Sequence, residues 1–279
     1  MGTKSKKRGT LRIVSWNVNG IRACVKKGFL EWLAKDLPDV LCVQETKASP
    51  DQVPRAVHER LDELGYKAYW HTAERKGYSG VATFCRTEPL FVTRGVPFER
   101  GEGRVIITEH GSFTLYNVYF PNGRQRPDGP DPERLEFKLE FYDAMLELVE
   151  QEREAGKNVV ISGDWNTAHT EIDIARPKEN ENVTGFLPVE REALQRYVDS
   201  GFVDTFRLFK PADSYEGLPP EKRDYTWWTY RAGARDRNIG WRIDYHFVNR
   251  EFVGAVKGAS IEAHVEGSDH CPIAVELAV

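Results

Sequence analysis

Cysteine is scarce in this 279-residue sequence: Cys24, Cys42, Cys85 and Cys271 are scattered without a Cys-x-x-Cys spacing, and three of them sit in apolar stretches. That pattern fits reduced, buried thiols in a cytosol and gives no sign of a disulfide framework or a structural zinc site. Long uncharged apolar runs are missing too, so no membrane anchor is expected. Residues 1–10 are basic and polar but lack the apolar core of a secretory signal, and they read as a flexible basic tail with no export role. No low-complexity linker divides the remainder, which reads as one domain over 11–279. An excess of positive charge is also lacking. The net charge is −4, which on bulk grounds argues mildly against a nucleic-acid partner.

With 40% hydrophobic and 29% charged residues, the chain has the composition of an ordinary globular protein. Its basic residues are locally clustered: Lys4 to Arg8, then Arg22, Lys26 and Lys27, then Arg75 and Lys76, then the stretch from Arg231 to Arg242. Each cluster alone fits solvated surface charge.

Periodicity predicts a strand over 11–16 ending at the turn-forming Asn17-Val18-Asn19-Gly20, a helix over 28–36, and a buried strand over 40–43 that delivers Gln44 and Glu45 at its tip. A second amphipathic helix over 54–64 precedes strands near 66–70, 80–85 and 90–93. Two alternating runs between 105 and 120 suggest a hairpin running into Pro121-Asn122-Gly123. A long helix over 132–155 leads to a strand over 158–161 that enters Ser162-Gly163-Asp164-Trp165-Asn166. A helix over 189–200 follows, with strand signals near 225–230, 242–248 and 273–277. Strands outnumber helices and do not alternate strictly with them, so the pattern predicts an α+β protein with two sheets packed face to face and helices outside.

Polar residues stand immediately after several apolar strands: Asn17 and Asn19, Glu45, Tyr119 and Asn122, Asp164 and Asn166, Asp244, and Asp269 with His270. Loops at strand ends are where a rigid scaffold presents functional groups. Structural readings exist for each. The asparagines also serve as turn formers, Asp164 as a cap, Asp244 as a paired core charge, and Glu45 as an exposed strand-end carboxylate. A carboxylate inside the apolar strand around Asp244 is costly unless a cation or strong donors compensate it. Glu45 suits a hard divalent cation such as magnesium, which takes one or two carboxylates and keeps waters. Neighbours in an extended chain point opposite ways, so His270 calls for a distant aspartate, with Asp244 the natural candidate, and Asp269 stays free to face metal or solvent.

The combination resembles a known family. Trp16-Asn17-Val18-Asn19-Gly20-Ile21-Arg22, Val43-Gln44-Glu45-Thr46-Lys47, Gly163-Asp164-Trp165-Asn166-Thr167-Ala168-His169, Gly240-Trp241-Arg242-Ile243-Asp244-Tyr245 and Ser268-Asp269-His270-Cys271-Pro272 are similar to the motif set of exonuclease III-type apurinic/apyrimidinic endonucleases, in the same order, across about 11–279. The resemblance implies a four-layer α/β/β/α sandwich like that of DNase I and a DNA repair phosphodiesterase. Such an enzyme cuts 5′ to abasic sites, with some 3′-5′ exonuclease and 3′-end-cleaning activity. It further implies Mg2+, with Mn2+ as a substitute, double-stranded DNA containing abasic sites as partner, and a cytoplasmic, bacterial-type monomer.

By that similarity Glu45 is the principal metal ligand, with Asn17, Asn19 and Asp269 nearby, and Asp164 and Asn166 position and activate the attacking water. Tyr119, Asn122 and His270 hold the scissile phosphate, Asp244 orients His270, and Asp269 assists metal or leaving group. Arg22 contacts DNA, while Trp227, Trp241 and Ile243 enclose the flipped-out sugar. Asn19 stands where some members carry aspartate, and Trp227 where some carry phenylalanine. Two alternatives remain: a phosphodiesterase of the same superfold with another substrate, and a DNA-binding protein without activity, which would lack a catalytic group. None is missing.

Overall fold

The strand that opens at Thr10 alternates strictly, Val14 and Trp16 to one side and Ile13, Ser15 and Asn17 to the other, and all five are buried. A strand buried on both faces needs layers on both sides. In the computed structural model, which describes residues 9–279, that requirement is met by two sheets and two helical layers. Residues 1–8, most of the basic tail read from the sequence, lie outside the described residues, and Thr10 already belongs to the first strand.

The chain runs through β1 (Thr10–Asn17), α1 (Ile21–Val25), α2 (Phe29–Asp36), β2 (Val40–Gln44), α3 (Arg55–Glu63), β3 (Lys67–His71), β4 (Val81–Cys85) and β5 (Phe91–Arg94). Next come β6 (Val105–Glu109), β7 (Thr114–Tyr119), a short ladder of β8 (Gln125–Arg126) with β9 (Gly129–Pro130), and α4 (Pro132–Glu154). The last part holds β10 (Val159–Asp164), α5 (Pro177–Asn180), α6 (Pro188–Asp199), β11 (Phe202–Asp204), β12 (Asp244–Asn249), β13 (Val256–Ile261) and β14 (Ile273–Ala278).

One six-stranded sheet has the order β13-β14-β1-β2-β4-β3 and the other β11-β12-β10-β7-β6-β5. The two share one plan. A parallel pair sits at the centre of each, β1 with β2 and β7 with β10, and all other neighbours are antiparallel. Helices α2 and α3 bury Phe29, Leu33, Val57 and Leu61 on the outer face of the first sheet; α4 and α6 bury Phe141, Met145, Leu194 and Tyr197 on that of the second. Between the sheets lie Ile13, Val40, Leu115, Val160 and Val275. This is the expected four-layer α/β/β/α arrangement.

The inner faces change character along the strands. Ile13 gives way to Ser15 and then Asn17 on β1, and Val160 to Ser162 and then Asp164 on β10. Between these rows Gln44 donates to Ser15 and to Asn117, at 3.0 and 2.8 Å. The carboxyl ends of all four parallel strands therefore carry polar groups inward at one edge of the sandwich, and the site is built there.

Two strand expectations fail. The aromatic run near 225–230 is not a strand, because Trp227 forms only single bridges to Trp241 and His270, and the Trp228 amide turns to the Asp269 carbonyl. The strand expected from 242 begins at Asp244, since the Arg242 amide donates to the Asp173 carbonyl and the Ile243 carbonyl accepts from Trp165. Strands β11 and β13 were not anticipated; β11 is three residues long and β13 is broken by a register shift at Val256 and Gly258.

Candidate active site

Asn17 ends β1 and Asp164 ends β10, and because both side chains point between the sheets the Asn17 amide reaches Asp164 Oδ2 at 2.8 Å. The same amide donates to Glu45 Oε1 at 3.0 Å, so one asparagine ties the first residue beyond β2 to the last of β10. Its Oδ1 accepts the Asn19 amide at 2.9 Å, so the turn-forming reading holds for Asn17 as well. Asn19 and Asn166 adopt left-handed backbone, φ 44° and 52°, so the turn reading holds for them too. Gly163 precedes the aspartate because any Cβ there would collide with the Val118 carbonyl of β7.

Asp164 Oδ1 accepts the Asn166 amide at 2.8 Å, a tight turn that folds Asn166 back over the strand end. The Asn166 side chain donates to the Phe120 carbonyl at 2.9 Å and accepts from Asn122 at 3.0 Å. Tyr119, the last residue of β7, is 8% exposed, and the guanidinium of the buried Arg104 lies 4.6 Å over its ring. Burial, with Glu45 and Asp164 nearby, pushes the phenol well above its ordinary value and keeps it a proton donor.

On the other side of Asp164 sits His270. Its Nδ1 lies 2.9 Å from Asp244 Oδ2 and its Nε2 3.9 Å from Asp164 Oδ2. Burial opposes charge on the ring, but Asp244 and Asp164 outweigh it and raise the imidazole to about 10, which makes it cationic at neutral pH. Burial raises the Asp164 carboxyl, with Asp244 adding like charge against the pull of His270. Asp269 points away from this trio, as chain alternation requires, and accepts from Asn19 at 2.9 Å and from the Trp227 indole at 3.2 Å.

A group absent from the sequence reading fixes Asp244. The fully buried Thr226 hydroxyl donates to Asp244 Oδ2 at 2.6 Å and accepts from the Ile243 and Asp244 amides. Its only trace in the sequence is a threonine within an aromatic run. Lys47 stands in the second motif with no role assigned to it there: its ammonium lies 2.5 Å from both Glu45 Oε2 and Asn19 Oδ1. Burial raises the Glu45 carboxyl, but Lys47 and the Asn17 amide overcome this and hold it below its ordinary value.

Two places offer ligand atoms to a cation. Asp164, Asp244 and His270 bring ligand atoms within 4.8 Å of one another, but a protonated imidazole already occupied by Asp244 has no lone pair to offer. Around Glu45 the donors are oxygens, and the Lys47 ammonium shows that Glu45 Oε2 and Asn19 Oδ1 attract a cation jointly. Hard divalent ions choose such oxygens. Asn19 thus turns an oxygen to the same place as Glu45.

Trp227 and Trp241 meet edge to face, centroids 5.9 Å apart, and with Ile243, Ile174, Phe186 and Ala168 form an apolar cluster beside His270. Exposed Arg22 lines, with Lys26 and Lys47, a cavity of about 480 Å3 next to Glu45. Arg242 does not join this basic rim. It is 1% exposed and bound to Asp173 and Asp204, at 2.6 and 2.7 Å, so the last of the basic clusters spends that charge internally. The four cysteines are buried and free.

Residues 14–270 match the Endonuclease/Exonuclease/phosphatase family. The chain belongs to that family. Among its members, the Exodeoxyribonuclease of Bacillus subtilis (strain 168) is 43% identical over 266 residues, covering 94% of this chain and 98% of that protein. The DNA repair nuclease APEX1 of Danio rerio is 38% identical, over 99% of this chain and 85% of that protein. The structure of an AP endonuclease from Archaeoglobus fulgidus superposes with a TM-score of 0.82 at 28% identity, over 96% of this chain and all of that one. In this family member the five motifs read from the sequence meet at one sheet edge.

Proposed function

We propose that this chain is a magnesium-dependent DNA repair nuclease that hydrolyses the backbone 5′ to abasic sites, leaving a 3′-hydroxyl and a 5′-deoxyribose phosphate. It also removes nucleotides and blocking groups from 3′ ends. The observation that carries the reading is His270 held between Asp244 and Asp164, with Asn17 linking Asp164 to Glu45. The names of its relatives, an exodeoxyribonuclease and a DNA repair nuclease, support the substrate.

Cationic His270, its Nδ1 taken by Asp244, directs Nε2 to a non-bridging phosphate oxygen, and the Tyr119 hydroxyl and Asn122 amide hold the same phosphate. Asp164 takes the proton of the attacking water; its raised pKa brings it towards the range in which a base is effective. Asn166 orients that water with its backbone locked on Asp164. Glu45, with Asn17, Asn19 and Asp269 around it, would hold magnesium or manganese, and the ion would supply charge stabilisation at the phosphate. Donors already aimed at the developing charge need no reorganisation during reaction.

Trp227, Trp241 and Ile243 receive a sugar without a base, whose extrusion costs little stacking energy. Arg22 binds the flanking phosphates. The enzyme acts in the cytoplasm as a monomer, through one catalytic domain over 11–279; among the described residues no helix is long and apolar enough to cross a membrane. A duplex with one abasic analogue, incubated with and without magnesium beside an intact duplex, tests the reading. Cleavage of the abasic strand alone, and only with metal, is expected, and equal cleavage of both refutes damage specificity.

A further inference from the structure

Lys138 of α4 and Glu190 of α6 form an ion pair at 2.6 Å in which both side chains are fully buried. Burying two charges is tolerated only where every donor and acceptor is met, and apolar residues of the same volume would serve the fold as well. Here the ammonium has two acceptors and both carboxylate oxygens have donors, and these partners lie at the site. Lys138 Nζ donates to the Asn166 carbonyl at 2.7 Å. Glu190 Oε1 accepts from the Thr184 hydroxyl at 2.7 Å, and Oε2 accepts the Gly185 and Leu187 amides at 2.5 and 3.1 Å.

These contacts reach two functional segments. Asn166 is in left-handed backbone, which a non-glycine residue keeps only when its surroundings impose it. Gly185 packs so closely on Trp241 that a Cβ would come within 3.0 Å of the indole; its carbonyl accepts the Ala168 amide, and the next residue, Phe186, joins Ile243 in the apolar cluster. We infer that the Lys138–Glu190 pair is a positioning device that couples the wall of the sugar pocket at 184–187 to Asn166, and so sets the discrimination between a base-less sugar and an intact nucleotide. Neither side chain is exposed, so both act through the segments they hold. The inference rests on the proposed function.

The test compares kcat/KM on a duplex with one abasic analogue and on the 3′ end of an intact duplex, for the unaltered protein, Glu190→Gln, Lys138→Met and Thr184→Val. Glu190→Gln keeps the volume and an acceptor oxygen. Loss of registration at a reacting centre costs about a hundredfold per ångström, so the abasic reaction is expected to fall about tenfold or more. Terminal hydrolysis, which does not use the pocket wall, falls less, and the ratio of the two rates narrows. Thr184→Val narrows it in the same direction by a smaller factor. An equal fall on both substrates, or an unchanged ratio, overturns the inference and leaves the proposed function intact. Should Glu190→Gln unfold on melting, the ratio in Thr184→Val decides. An unaltered protein that cuts both substrates equally overturns the proposed function itself, and this inference with it.

Discussion

His270 Nδ1 stands 2.9 Å from Asp244 Oδ2, and Thr226 holds that same oxygen from the other side at 2.6 Å. The aspartate thus fixes which imidazole nitrogen faces inward, and the ring presents Nε2 towards Asp164. Asp244→Asn keeps the shape but removes the charge that sustains the cationic imidazole. Hydrolysis of the abasic strand should fall about a hundredfold or more, as for loss of an acid–base group, with the fold retained by circular dichroism. Asp164→Asn and His270→Ala should each cost at least as much. Rates near those of the unaltered protein would remove these residues from the mechanism.

Thr226→Val tests the hydroxyl separately. The substitution keeps the volume and strands the Ile243 and Asp244 amides without their acceptor, a loss of about 1–3 kcal/mol where buried. A lower melting temperature and a lower kcat are expected together. Thr226→Ser restores the hydroxyl and should restore kcat even if packing remains imperfect; failure of serine to rescue would mean that the methyl, not the hydroxyl, matters.

What could be read from the sequence followed from short-range rules. The ends of apolar strands marked Asn17, Glu45, Asp164 and Asn166, and chain geometry separated Asp269 from His270. Contacts between distant segments left no such mark. Thr226 looked like part of a strand because aromatic and β-branched residues favour strands, whereas tertiary contacts to Asp244 and Cys271 impose an irregular path. Lys138 carried no mark within the helix over 132–155 and Arg242 counted as part of a basic cluster, yet each is buried against a carboxylate contributed by a remote segment. Charge type is visible in a sequence, and burial of a charge is not until its partner is known.

Glu45 and Lys47 make opposite predictions for magnesium. Glu45→Ala removes the carboxylate, so the magnesium concentration at half-maximal activity should rise. Lys47→Met removes the ammonium that competes for Glu45 Oε2 at 2.5 Å, so that concentration should fall, by about fivefold if the pair resembles a partly exposed ion pair of about 1 kcal/mol. Metal titrations of cleavage check both signs. Identical shifts in the two variants would show that Glu45 and Lys47 do not share a cation position.

Stability should depend on pH through His246. This ring is 3% exposed, with Nδ1 2.7 Å from Ser162 Oγ and Nε2 3.2 Å from the Ile273 carbonyl, and burial pushes its pKa down from 6.5 to about 4. The unfolded chain therefore binds a proton at this residue between pH 6.5 and 4 that the folded protein refuses, so its contribution to stability is complete above 6.5 and is lost as pH falls through 4. The full loss is about 3 kcal/mol at 1.36 kcal/mol per unit. Burial lowers His110 to about 4 as well, which adds in the same window. His270 acts elsewhere: raised to about 10, it stabilises below 6.5 and that contribution fades as pH rises from 6.5 to 10. Asp164, raised to about 7, works against the histidines in this window, because its contribution is present below 3.8 and is lost as pH rises to 7. Urea unfolding at pH 7, 6, 5 and 4.5 should therefore show His246→Gln losing less stability on acidification than the unaltered protein. An unchanged slope in that variant would assign the acid sensitivity to other groups.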